Sequence, residues 1–253
     1  MRKIKTCWVS DFHLGSRGCQ IHNLNNFLQN LNCEKLYLVG DIIDIWRIQR
    51  KGFLPSSLSQ YHLNTIEIIL EKAKNGTEII YIPGNHDEFV SQFLEKFKPI
   101  TIIGNITITD QDIHESISGE KILVMHGHEF DVITKYHRWL AILGDIGYDF
   151  LIWLNGHFNS VRKLLGMKYW SLSKFLKIKV KDAVNFVSSF EDSVVKYAEK
   201  NKVSSILCGH IHFPVIKKIG SITYYNDGCW VENCSAILEY DDGSIELKYF
   251  NDH

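Results

Sequence analysis

The chain has no C-x-x-C pair and no dense cysteine framework. Its six cysteines, Cys7, Cys19, Cys33, Cys208, Cys229 and Cys234, are scattered. That argues against a disulfide scaffold and against a cysteine zinc cluster, and it points to a reduced compartment in which the thiols act as small buried apolar groups. An excess of charge is missing as well, since 28 basic and 29 acidic side chains leave a net charge of -1. A balance this close excludes strong global attraction to nucleic acid, so any electrostatic partner surface must be local. No uninterrupted apolar run is long enough to span a bilayer, and the one after Met1-Arg2-Lys3 is too short for the core of a signal peptide. The expectation is a cytoplasmic protein, with contact to a membrane surface left open. Repeats and low-complexity linkers are absent too. The 253 residues, 45% of them hydrophobic, suit one large domain, or one domain carrying an inserted subdomain.

Alternation of strand and helix patterns organises the first part of the chain. Ile4 to Val9, Lys35 to Val39 and Glu78 to Ile82 read as buried strands, separated by amphipathic helices over Ile21 to Leu31 and Tyr61 to Lys74. Asn75-Gly76 supplies the stop of the second helix. This β-α-β-α-β order predicts an α/β sheet with ligands on the loops at strand ends. Ile122 to Met125 is another such strand. From about Val132 to Lys202 the pattern turns helical, with aromatic residues interleaved. Strand signals return at Ser204 to Leu207, Ile222 to Tyr225, Ser235 to Glu239 and Glu246 to Phe250, the last two joined by the turn Asp241-Asp242-Gly243-Ser244. The span 132–202 therefore reads as a helical cap inserted in a single domain, 1–253.

Each of five strands should end on a short motif of acid and histidine: Asp11-Phe12-His13, Gly40-Asp41-Ile42-Ile43-Asp44, Gly84-Asn85-His86-Asp87, His126-Gly127-His128 and Gly209-His210-Ile211-His212. Any one of them is readily a turn cap or a satisfied core histidine. Five in succession, with hard and borderline ligands in each, specify a hydrolytic site for two divalent cations. Together they resemble the calcineurin-like metallophosphoesterase superfamily. The resemblance implies a four-layer α/β/β/α sandwich. It also implies that Asp11, His13, Asp41 and His212 hold one cation while Asp41, Asn85, His126 and His210 hold the other, with Asp41 as the bridge. His86 would then face the substrate phosphate, as acid or charge stabiliser, and Asp44 would orient it. Asp87 is expected to cap or hydrogen-bond locally. The donor set suits Mn, Fe or Zn, and its oxygen share favours Mn2+.

Further stretches narrow the resemblance. Ile45 stands after Asp44 where protein phosphatases of the superfamily usually have Arg. Ser10 to Gly15, Tyr37 to Asp44, Pro83 to Phe89, His126-Gly127 with Glu129-Phe130-Asp131, Tyr169 to Ser173, Cys208 to His212 and Trp230-Val231-Glu232 with Cys234 are similar to UDP-2,3-diacylglucosamine diphosphatases. That family implies cleavage of the pyrophosphate in UDP-2,3-diacylglucosamine to UMP and 2,3-diacylglucosamine 1-phosphate, a step of lipid A synthesis, peripheral to the inner membrane. The chain departs from the family at His86, where the best-known branch has Arg, at His128 in place of Asp, and in the order Asp227-Gly228-Cys229.

The insert carries a separate signal. No acid lies between Asp149 and Asp182, yet Arg162, Lys163, Lys168, Lys174, Lys177, Lys179 and Lys181 do, interleaved with Trp153, Phe158, Tyr169, Trp170 and Phe175. On a helix Lys174, Lys177 and Lys181 form one stripe. Basic and aromatic side chains together suit an anionic lipid surface or a pocket for a phosphorylated lipid. A solvated face over an aromatic core fits the pattern equally well. Lys181, Lys177, Lys174 and Arg17 are the candidate substrate contacts with His86, and for Arg17 a role in positioning its loop is an equal alternative. A metallophosphodiesterase or nucleotide pyrophosphatase acting on a soluble substrate, and a non-enzymatic interaction module, remain the other readings.

Overall fold

The computed structural model describes residues 2–44, 59–87, 90, 100–103, 105–130 and 172–251, with the side chains of 100–103 and 172–184 outside that description. It divides into two compact units, Met1–Glu129 with Val195–His253, and Phe130–Val194. In the first unit, β1 (Ile4–Val9), β2 (Cys33–Val39) and β3 (Glu78–Ile82) run parallel. They belong to a seven-stranded sheet of order β12-β11-β1-β2-β3-β5-β4, where β4 is Ile100–Ile103, β5 Ile106–Ile108, β11 Ser235–Tyr240 and β12 Ile245–Tyr249. A five-stranded sheet has the order β6-β7-β8-β10-β9, from Asp112–Glu115, Lys121–Val124, Ser205–Cys208, Ile222–Asn226 and Val215–Ile219.

Side chains alternate across a strand, and register turns that alternation into rows. Ile237, Trp8, Tyr37 and Ile80 are direct neighbours across the first sheet. All four face a core they share with Ile122, Val124, Leu207 and Tyr225 of the second sheet. The offset row Leu238, Cys7, Leu36 and Ile79 points the other way. It packs with Leu24, Phe27 and Leu28 of α1 (Ile21–Asn30) and with Ile68, Ile69 and Ala73 of α2 (Gln60–Lys74). The two sheets thus meet face to face, with helices outside the first. On the second sheet Leu123, Ile206 and Tyr224 form the opposite row and are buried too.

The strands and helices expected in the first part of the chain stand within a residue or two of their expected bounds. Among the described residues, four strands are additional. β5 is a three-residue strand, too short to show a period, and β4 lies beside it. β6 is Asp-Ile-His-Glu, polar on its face yet burying His114. β9 is an edge strand carrying Lys217 and Lys218. Of the span expected to be a helical cap, Leu172–Lys200 is one helix, α3. Arg162, Lys163, Lys168, Trp153, Phe158, Tyr169 and Trp170 lie outside the described residues, as do Ile45, Glu88, Phe89 and Asp131. No described helix is long and apolar enough to cross a membrane.

One polar pair is buried far from the strand-end motifs in sequence. His114 Nε2 lies 2.9 Å from Glu239 Oε2, and the Ile117 N–H donates to Oε1 at 2.8 Å. Trp8 meets the His114 ring edge-on and stacks on Tyr37, whose hydroxyl donates to Asp112. Burial pushes the Glu239 carboxyl up, but the hydrogen bonds from His114, Ile117 and Thr6 outweigh it and hold the group below its ordinary 4.5. A depressed carboxylate contributes stability above its unfolded pKa and loses it as pH falls through the folded value. His114→Ala, which removes the donor to the buried Oε2, is expected to cost about 1–3 kcal/mol in urea denaturation. Glu239→Gln should cost less and should flatten the loss of stability below pH 4.5. Equal slopes in wild type and Glu239→Gln would refute the linkage.

Candidate metal centre

The motifs all follow the carboxyl ends of parallel strands: β1, β2 and β3 in one sheet, β7 and β8 in the other. Backbone hydrogen bonds lace these loops together. Asp11 N donates to Gly40 O, His13 N to Asp41 O, Asp44 N to Leu14 O, and Gly209 N to His126 O. Holding side chains inward at such close quarters forces the main chain into rare conformations. Asp11, His13, Asp41, His210 and His212 all have left-handed φ values, from 49 to 67°. Non-glycine residues held there cost on the order of 1–3 kcal/mol each and cluster where function demands it.

The side chains converge accordingly. His212 Nε2 is 3.1 Å and His13 Nε2 3.6 Å from Asp11 Oδ1, and the two imidazole nitrogens are 3.4 Å apart. Asp41 faces both ways, Oδ2 lying 3.7 Å from His13 Nε2 and Oδ1 3.5 Å from His126 Nε2. Among the described residues, three sets of potential ligand atoms lie close enough to hold a cation: Asp11, His13 and His212; Asp41, His126 and His210; and His13, Asp41 and His86. His86 Nε2 is 3.9 Å from Asp41 Oδ2, while Nδ1 is 3.3 Å from Asp44 Oδ1. Asn85 is half-buried between Gly84 and His86, and the His86 N–H donates to Asp41 Oδ1 at 2.8 Å.

The residues fit divalent cations on a direct observation. His126 Nδ1 is 2.8 Å from the Val39 carbonyl, an acceptor only, so Nδ1 carries the hydrogen. Nε2, fully buried, makes no hydrogen bond and faces Asp41 Oδ1 at 3.5 Å. Burial disfavours charge on this ring, yet Asp41 and Asp11 push its pKa up to about 10. Burial likewise opposes charge on Asp11 and Asp41, and the surrounding imidazoles still hold both well below the ordinary carboxylate range. The pocket therefore favours positive charge, which cations coordinated by neutral imidazoles would supply.

Surrounding groups fix this arrangement. Asp87, expected to bond locally, does accept from Gly84 N at 3.3 Å, but its shorter bonds come from Ile42 N and Ile43 N, at 3.0 and 2.8 Å. Burial, with the Asp41 charge, pushes its carboxyl up to about 6. Asn226 donates to Gly209 O, Asn233 to His212 O, and Ser10 Oγ lies between Asp11 and Asp227. None of these three contacts was expected from the sequence. The only hint was the position of Ser10 beside Asp11 and the unusual order at Asp227. His128 lies beside His126, the ring centroids 5.4 Å apart and the planes tilted by 45°, but it joins none of the ligand sets. Arg17 is exposed on the turn after His13. Lys174, Lys177 and Lys181 are placed on α3 by their backbone, and their side chains lie outside the described residues.

A family model for calcineurin-like phosphoesterases matches residues 4–214. The chain belongs to this family and is a metal-dependent phosphoesterase. Its relatives include the UDP-2,3-diacylglucosamine hydrolase of Psychromonas ingrahamii, 26% identical over 262 residues and covering 98% of this chain and 99% of that one. The protein of the same name from Aliivibrio fischeri is 24% identical over 253 residues, with coverages of 95% and 96%. Among solved structures, Yfce, a phosphoesterase from E. coli, aligns with a TM-score of 0.43 at 16% identity, over 99% of this chain and 100% of that one.

A site that binds cations only when folded makes stability depend on them. Millimolar Mn2+ added to chelator-treated protein is expected to stabilise it by about 3–4 kcal/mol, as for a ligand at 100 to 1,000 times its Kd. The shift is read as a rise in Tm. Gly84→Ala should abolish most of it, because a Cβ there would run into the Asp41 carboxylate and His126 Nε2. A melting curve indifferent to metal and chelator would refute the centre.

Proposed function

We propose that this protein hydrolyses the pyrophosphate of a UDP-linked glycolipid, UDP-2,3-diacylglucosamine, giving UMP and 2,3-diacylglucosamine 1-phosphate for lipid A synthesis. The observation that carries the chemistry is Asp41, a buried carboxylate with one oxygen toward His13 and the other toward His126. The substrate assignment is supported by relatives of that name, similar over nearly the full length of both chains, and by the acid-free basic and aromatic stretch between Asp149 and Asp182.

In this reading Asp11, His13, Asp41 and His212 hold one cation and Asp41, Asn85, His126 and His210 the other, Mn2+ being the best match to the donors and Fe or Zn the alternatives. When bound, the pair supplies Lewis acidity that polarises the phosphoryl oxygens and acidifies the attacking water. The protein's own groups do the rest. His126 is held in one tautomer by Val39 O. Asp44 orients His86 through Nδ1, leaving Nε2 to face the phosphate. Carrying a proton there, His86 stabilises the developing charge and delivers that proton to the leaving phosphate oxygen as the P–O bond breaks. The ring also belongs to a ligand-like set with His13 and Asp41, so it lies within reach of the reacting atoms. Lys174, Lys177 and Lys181 are the proposed contacts to the lipid phosphate or an anionic membrane surface, and Arg17 a contact at the mouth of the site. The protein would then work at the cytoplasmic face of the inner membrane, without crossing it.

The test is UMP release from UDP-2,3-diacylglucosamine with Mn2+, compared with bis(p-nitrophenyl) phosphate and with UDP-N-acetylglucosamine. The diacyl substrate is expected to be preferred. Asp41→Ala should lower kcat/KM by roughly 10³-fold or more, and His86→Ala by about 10²–10⁴-fold. Efficient turnover of soluble diesters with no release of UMP from the lipid would transfer the assignment to a soluble-substrate phosphodiesterase.

A further inference from the structure

Ser10 closes β1 with a hydroxyl lodged between two carboxylates. Its Oγ is 2.6 Å from Asp11 Oδ2, 2.7 Å from Asp227 Oδ1 and 3.2 Å from the Gly228 carbonyl. Ser10, Asp11 and Asp227 are each at most 1% exposed. We propose that Ser10 and Asp227 form a positioning pair that locks the Asp11 carboxylate in its metal-binding orientation. This rests on the reading of Asp11 as a metal ligand.

The geometry divides the work between the two oxygens of Asp11. Oδ2 receives the Ser10 hydroxyl and, at 2.9 Å, the His210 N–H, so it is fully engaged by the protein. Oδ1 is thereby turned toward His212 and His13. A serine hydroxyl has one hydrogen; given to Asp11 Oδ2, it leaves Oγ to accept, so Asp227 fixes the hydroxyl as a donor, through a hydrogen on Oδ1, and the Gly228 carbonyl takes no part. The Asp227 carbonyl accepts from Ser235 Oγ at 2.6 Å, a main-chain bond that lies outside the path from the Asp227 carboxyl through Ser10 to Asp11. The approach is tight, for a Cβ on Gly209 would collide with Ser10 Oγ and Asp11 Oδ2. Asp227 also keeps Oδ2 buried without a hydrogen-bond partner, a costly placement that packing alone does not explain. Groups that orient a metal ligand from behind typically change metal affinity 10–100-fold when removed.

Mn2+ is titrated calorimetrically into metal-free wild type, Ser10→Ala, Asp227→Ala, Asp227→Asn, Ser235→Ala and Asp11→Ala, and the Tm of each metal-free protein is recorded. Ser10→Ala and Asp227→Ala are expected to bind Mn2+ about 10–100-fold more weakly, with metal-free Tm values no lower than that of Ser235→Ala. Asp227→Asn, whose amide still reaches Ser10, should regain most of the affinity. Ser235→Ala removes a buried hydrogen bond from the same loop without touching Ser10, and should bind as wild type does. The inference is overturned if both Ser10→Ala and Asp227→Ala bind within about threefold of wild type, well short of that range, or if Ser235→Ala loses as much. If Asp11→Ala itself binds as wild type does, it is the ligand assignment that fails.

Discussion

The hydrogen bond between His126 Nδ1 and the Val39 carbonyl joins the two sheets at the place where the chemistry lies. Val39 ends β2 in the first sheet, and His126 follows β7 in the second. The last carbonyl of a strand needs a partner, and here the partner is an imidazole from the facing sheet. That choice points the Nδ1 hydrogen at the Val39 carbonyl and turns Nε2 toward Asp41. A second crossing bond, from the His210 N–H to Asp11 Oδ2, does the same in the opposite sense. With both in place, loops that begin on different sheets meet with ligand atoms within 4.8 Å of one another.

Such an arrangement needs a stiff frame. Five of the site's residues hold left-handed backbone, and the carboxylates of Asp11 and Asp41 are both buried. Neither feature favours folding. The opposing contribution comes from the rows of Trp8, Tyr37 and Ile80 against Val124, Leu207 and Tyr225, and from the helix-facing row behind them. Each fully buried side chain of this kind contributes about 1.5–3 kcal/mol. Two sheets packed through one core tolerate strain at their edge because the strained loops add little to that core.

How much of this was legible in the sequence depended on distance along the chain. The motifs that supply the candidate ligands were plain, because each is a compact run of acid and histidine after an apolar strand, and a period of two shows over five or more residues. β5 and β6 were not, being three and four residues long with polar faces. The bond from Asp87 to Gly84 is the sort a reader of sequence expects, whereas those to Ile42 and Ile43 cross some 45 residues. Ser10 and Asp227 are 217 positions apart, and nothing in either residue announces the other. Positive φ at Asp11 or His212 was equally hidden, since aspartate and histidine impose no such backbone of themselves and the surrounding fold does.

The electrostatics explain why the same residues serve both the fold and the site. Buried carboxylates at Asp11 and Asp41 can stay ionised only beside positive charge. Protons on His126 and His212 meet that need, which is why both rings are pushed well above their ordinary pKa. A divalent cation meets it better. Asp11, His13, Asp41, His126, His210 and His212 are the groups that would hold it, with the rings neutral and the carboxylate oxygens already fixed. The anchored oxygen of each carboxylate limits how far the group can swing: Asp11 through Ser10 and the His210 N–H, Asp41 through the His86 N–H. The protein therefore presents candidate ligands whose orientation is already settled, so less ordering would oppose the binding of a cation.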